Sequence, residues 1–63
     1  MTATDLRREF KNAAINAGYN FYYDTHLKLW VLYKQNFNQN AEYFTLTIMK
    51  YLGVEQFKEI YLL

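Results

Sequence analysis

His26 is the single histidine of this chain and the one side chain whose unperturbed pKa lies near neutrality. Asp24 stands two residues before it, so in a strand or tight turn the carboxylate and the imidazole share a side. Such a pair can orient an imidazole for proton abstraction. The other parts of that chemistry are missing. The sequence contains no Ser and no Cys, its two glycines form no phosphate-cradling loop, and no nucleophile elbow is present. A polar turn nucleated by the Asp24 side-chain oxygen accounts for the same residues. We therefore expect no catalytic residue and no enzyme. A domain this small also seldom encloses a pocket of about 300 Å³ or more, so no small-molecule substrate is expected. Metal binding fares no better. One His and six dispersed acids are a poor ligand set without thiolates. Asp5/Glu9 and Glu55/Glu59 have i,i+4 spacing, which a solvated helix face explains. No metal and no cofactor are expected.

Basic and aromatic residues offer a second chemistry. Read as a strand, residues 27–34 place Lys28, Trp30, Leu32 and Lys34 on one face and Leu27, Leu29, Val31 and Tyr33 on the other. Lysines flanking a Trp can combine phosphate contacts with base stacking. Arg7, Arg8 and Lys11 add a basic cluster in a helical segment. Against nucleic acid stands a net charge of only +1, since binders that depend on counterion release carry a clear basic excess. Trp30 as a core residue with lysine stems around it fits the same pattern.

These residues must be positioned by elements that the sequence also marks. Thr2 and Asp5 have capping-box spacing, with Thr4 an alternative cap, ahead of an apolar face of Leu6, Phe10, Ala13, Ala14 and Ala17. Gly18 follows as a helix terminator. This predicts a helix over 4–17. Residues 19–23 and 27–34 alternate and are rich in aromatic and β-branched side chains, which predicts an antiparallel hairpin with Asp24-Thr25-His26 at its tip. A helix over 25–36 is the competing reading. Residues 34–40 form a polar loop containing Phe37. A second helix is expected over about 40–52, capped by Asn38 or Asn40 and stopped by Gly53, although Phe44, Leu46 and Ile48 alternate as a strand would. A short third helix over 54–62 completes the order.

The expected fold is α+β, a single small domain over residues 1–63 in the order α-β-β-α-α, with the helices packed on one face of the hairpin. An all-α helical bundle is the alternative. No segment reads as a signal peptide. The longest apolar run, Leu29 to Tyr33, is far shorter than a membrane span. The expectation is a cytoplasmic protein with no membrane association, and the absence of Cys fits a reducing compartment.

The bulk composition points to assembly. In 63 residues there are seven Tyr, five Phe and one Trp, and 52% of the chain is hydrophobic. A chain of this size hides only about 60% of its unfolded surface, so some rings must stay outside. Exposed Tyr, Trp and Phe are the material of protein interfaces. The expected function is therefore a non-enzymatic binding protein acting on a protein partner. Trp30, Tyr33, Phe37 and Tyr43 are its candidate anchors, and Lys28, Lys34, Arg8 and Lys11 orient the encounter. A homodimer that uses the same rings is possible, and a small nucleic-acid-binding regulator is the alternative. No sequence motif ties the chain to a family. In size, lack of Cys and aromatic surplus it looks like the small counter-defence proteins with which phages and other mobile elements inhibit host complexes, inhibitors of CRISPR effectors among them.

Overall fold

A computed structural model describes residues 2–34 and 41–63. The chain is an α+β domain with the element order α1 (Ala3–Asn16), β1 (Asn20–Asp24), β2 (Leu29–Tyr33), β3 (Glu42–Phe44) and α2 (Leu46–Phe57), followed by a π-helical turn at Lys58–Leu62. The strands form one antiparallel sheet in the order β1-β2-β3. Both helices lie on the same side of it. The result is a two-layer slab about 33 × 27 × 16 Å.

Helix α1 is closed at both ends by its own sequence. At the start, the Asp5 backbone N–H donates to the Thr2 hydroxyl at 3.1 Å and the Thr2 N–H donates to the Asp5 carboxylate at 3.3 Å, a complete capping box. At the end, Gly18 adopts φ 86, the Tyr19 N–H reaches the Ala14 carbonyl at 2.9 Å, and the Gly18 N–H reaches that of Ile15 at 3.0 Å. This is a Schellman closure, and only its left-handed residue requires glycine. Between the caps, Leu6, Phe10 and Ala14 are buried. The small Ala14 lets the helix approach the layer beneath it.

The hairpin is present, with its strands displaced by a residue or two from the expected limits. Asp24 pairs with Leu29, and the turn between them contains no glycine. The Asp24 carboxylate accepts from the backbone N–H groups of His26 at 2.9 Å and Leu27 at 3.0 Å, and the Lys28 N–H donates to the Asp24 carbonyl at 2.7 Å. Lys28 then closes the turn at φ 58, the one described non-glycine residue in the left-handed region. The competing helix over 25–36 is excluded by these strands.

Two expectations change in the second half. The region expected to open the second helix holds a third strand, with Tyr43 opposite Val31 and Phe44 opposite Trp30. Three residues are too few to display a strand period, and the acidic Glu42 mimics the first turn of a helix. The helix starts later, at Leu46. Its cap is Thr45, whose hydroxyl accepts from the Ile48 N–H at 3.1 Å. Gly53 breaks α2 where a stop was expected, at φ 78 and ψ 154, a conformation essentially restricted to glycine. Beyond it the chain resumes helical geometry and widens into the π turn, so the expected third helix runs on from α2.

The core is a phenylalanine cluster. Phe10 stacks on Phe57 at 4.5 Å, Phe44 meets Phe57 edge-on at 5.4 Å, and Phe21 tilts against both Phe10 and Phe57. Leu6, Ala14, Leu32 and Met49 complete it. Each fully buried aliphatic or phenyl side chain contributes about 1.5–3 kcal/mol.

Candidate docking face and basic cleft

The ladder registers sort the sheet side chains into two sets. Phe21, Leu32, Trp30 and Phe44 point toward the helices, and Phe21, Leu32 and Phe44 are buried there. Tyr22, Val31 and Tyr43 form a row across the three strands on the opposite side, flanked by Leu29 and Tyr33. No described element covers this second face.

The open face is nevertheless built. Val31 is only 3% exposed, because Tyr22 and Tyr43 sit directly across the two ladders from it. Tyr22 and Tyr33 meet edge to face at 5.9 Å and 88°, the geometry their ring quadrupoles favour. The three tyrosines stay exposed at 45% (Tyr22), 37% (Tyr33) and 51% (Tyr43). Together with Leu27 and Val31 they outline a shallow hollow of about 260 Å³. Asp24 is the only charged residue in its lining, and its carboxylate accepts from the turn.

A different arrangement occupies one corner of the helical side. Arg7, Tyr23, Lys28, Trp30, Thr45 and Leu46 line a cleft of about 490 Å³. The cleft opens to solvent and is not an enclosed cavity, so the expectation that so small a domain seldom encloses a pocket of about 300 Å³ is not overturned by it. Trp30 is half-buried there, stacked on Phe21 at 5.2 Å and 14° and tilted against Tyr23 at 5.4 Å.

The expected anchors and cations therefore separate. Tyr33 and Tyr43 come together on the open face. Trp30 and Leu32, expected to be left bare on the face away from the helices, lie instead on the covered side. Alternation defines two faces but does not say which one the helices will choose. Lys28 joins Trp30 at the cleft. The Lys34 ammonium lies 5.1 Å from the centre of the Tyr19 ring. Arg8 pairs with Asp5 at 2.6 Å, and Lys11 is exposed on α1, so neither lines the hollow or the cleft. Phe37 lies outside the described residues. Sequence reasoning did not select Tyr22, Val31 or Tyr23 for either surface, and it named Arg7 only within a basic cluster with Arg8 and Lys11, from which Arg7 alone lines the cleft. For Tyr22 and Val31 alternation gave only a shared strand face, and Tyr19 and Tyr23 beside Phe21 kept ring type from telling which face would stay open.

Asp24 and His26 are brought together only through the backbone. The carboxylate accepts from the His26 main-chain N–H, which is turn chemistry. Asp5 has a pKa below its usual value of 3.8. The Thr2 hydroxyl is the main cause, followed by the Thr2 backbone N–H, and the Arg8 guanidinium adds to the shift. Among the described residues no three His, Asp or Glu side chains gather as a metal site would require, and no helix is long and apolar enough to cross a membrane.

No family model matches the chain, and searches of curated proteins and of solved structures find no match either.

Proposed function

We propose that this chain is a non-enzymatic binding protein that docks on a larger protein through the open face of its sheet. The supporting observation is the row Tyr22, Val31, Tyr43 with Tyr33 beside it, an ordered and nearly uncharged aromatic surface with nothing described above it. Tyrosine suits such a surface. Its ring buries area with only two side-chain torsions to fix, and its hydroxyl stays compatible with water when the partner is absent. A standard interface takes about 800 Å² from each partner. That is roughly one sixth of the 4693 Å² this chain exposes, an area one face of the slab can supply.

The mode of action we favour is occlusion, in which the chain covers a functional surface of its partner as the small inhibitors used in counter-defence do. What supports this is size: a slab of 63 residues can act on a large assembly by being in the way. The partner patch is expected to be apolar, with hydrogen-bonding groups placed for the tyrosine hydroxyls.

The test is retention of a specific partner on immobilised protein. Substituting Tyr22, Tyr33 and Tyr43 together by Ser should abolish retention while the fold persists by circular dichroism. Tyr51→Ser, which alters a ring 92% exposed on α2, should leave it unchanged. Light scattering on the purified chain separates the homodimer. A dimer that the triple substitution converts to monomer would assign this face to a second copy and overturn the reading.

A further inference from the structure

The cleft at the corner of the helical side has a composition that the docking face lacks. Its lining comes from four separate parts of the chain: Arg7 of α1, Tyr23 of β1, Lys28 and Trp30 of the turn and β2, and the start of α2. Two cations and two rings face one space of about 490 Å³, and no carboxylate lines it. That volume falls within the range of small-ligand sites. Neither cation is engaged elsewhere. The side-chain ion pairs among the described residues are Arg8 with Asp5 and Lys58 with Glu55, and neither Arg7 nor Lys28 makes a side-chain hydrogen bond there.

Lys28 adds a second observation. It holds φ 58 at a position where Gly or Asn would sit with less strain. A left-handed lysine that closes a turn also delivers an ammonium group to the rim of the cleft. Trp30 is fixed from behind by Phe21, so its orientation does not depend on a ligand.

We infer that this cleft binds a nucleotide, with the base against Trp30 and Tyr23 and the phosphate between Arg7 and Lys28. A planar π surface beside fixed positive charge is the chemistry by which proteins hold unpaired nucleotides. An acidic peptide would use the cations and leave the rings idle. A free mononucleotide and one unit of a single strand share this chemistry, and the experiment separates them.

Trp30 is the only tryptophan in the chain, so its fluorescence reports on the cleft directly. The full chain is titrated at low salt with adenosine 5′-monophosphate, adenosine, inorganic phosphate and a short single-stranded oligo(dA). The monophosphate should quench Trp30, and adenosine or phosphate alone should bind at least about tenfold more weakly, since each keeps only half the contacts. Arg7→Gln and Lys28→Gln should each weaken binding by about tenfold. Both positions are exposed and unpaired, and circular dichroism confirms that the variants fold. Tighter binding of the oligonucleotide, with a log–log salt slope of about −0.7 for the one phosphate held in the cleft, assigns the site to single strands. Equal binding assigns it to free nucleotides.

The inference is overturned if millimolar monophosphate and the oligonucleotide leave Trp30 unquenched in the folded protein. Quenching that survives both charge substitutions overturns it as well, as does tighter binding of phosphotyrosine than of the nucleotide. Tyr43→Ser, on the opposite face, should not change the signal, so failure of the cleft and failure of the docking face are read separately.

Discussion

The two faces of this sheet carry similar amounts of aromatic side chain and treat it in opposite ways. On the helical side Phe21 and Phe44 are at most 3% exposed and locked in ring contacts with Phe10 and Phe57. On the other side Tyr22, Tyr33 and Tyr43 stand in solvent around one shielded valine. The division holds through the described residues: every described Phe is buried, and none of the seven Tyr is. One oxygen per ring makes the difference. A buried phenol needs a hydrogen-bond partner, and a core of Phe, Leu and Met offers none. The rings in excess of what the interior holds are thus those whose hydroxyl tolerates water, and three of them, Tyr22, Tyr33 and Tyr43, stand together on the open face.

The strongest way to break this comparison is to remove a ring from the covered side. Phe57 touches Phe10, Phe21, Phe44 and Tyr61, and it is fully buried. Phe57→Ala should cost about 3–5 kcal/mol. A domain of this size has a total stability of only about 3–9 kcal/mol at typical values per residue. Thermal unfolding followed by circular dichroism should therefore show loss or near loss of the cooperative transition. A variant that melts like the parent would mean the phenylalanine cluster is not what holds the layers together.

The same change of size on the open side should read out elsewhere. Tyr43→Ser removes a ring that is half exposed and pairs with Val31. Its effect on unfolding should stay within about 1 kcal/mol, and its effect on partner affinity should reach at least about 2 kcal/mol if it anchors the complex. Titration calorimetry and melting curves on one preparation give both numbers. A large loss of stability with intact binding would make the tyrosine row a second core.

Much of this division was legible beforehand, and the places where it was not have physical reasons. The capping box at Thr2 and Asp5, the apolar spacing through Ala14 and the terminator Gly18 sit close together in the chain, so helix α1 could be read directly. The hairpin followed from alternation. Which of its faces the helices cover was not decided by alternation, and the expectation chose the wrong one for Trp30 and Leu32. Ring type would not have decided it either, since Tyr23 shares the covered face with Phe21 and Trp30 while Tyr22 pairs with Val31 on the open one. Strand β3 was hidden by its length and by Glu42. The cleft was illegible because Arg7, Lys28 and Leu46 are far apart in sequence and meet only in the fold.

Lys28→Gly sharpens the comparison at the border of the two faces. Glycine relieves the left-handed backbone but gains freedom in the unfolded chain, and the two effects oppose each other. The net expectation is a stabilisation of about 0.5–1 kcal/mol, visible as a higher melting temperature. Nucleotide quenching of Trp30 should weaken at the same time. A variant that is more stable yet binds less would show that the lysine is kept against the preference of the turn. A variant destabilised by the change would show that its side chain supports the fold.

The smallest effect concerns the helix that covers the sheet. The Asp5 carboxylate accepts from the Thr2 backbone N–H and pairs with Arg8, and its pKa is lowered in the folded chain below the usual 3.8. A carboxyl with a depressed folded pKa stabilises the fold above its unfolded value, and the contribution disappears as pH falls through the folded value. Asp5→Asn keeps a side-chain oxygen for the cap but removes the charge near the positive end of the helix dipole. At neutral pH the variant should melt slightly lower than the parent. The two curves should draw together as pH falls below 3.8 and meet once it has passed the lower folded value, where the parent's carboxyl has lost the same charge. Partner binding through the tyrosine row should be indifferent to the substitution at neutral pH, since Asp5 belongs to the layer behind the sheet. A gap in melting temperature that persists unchanged into acid would mean that the carboxylate's charge contributes nothing to holding α1 in place.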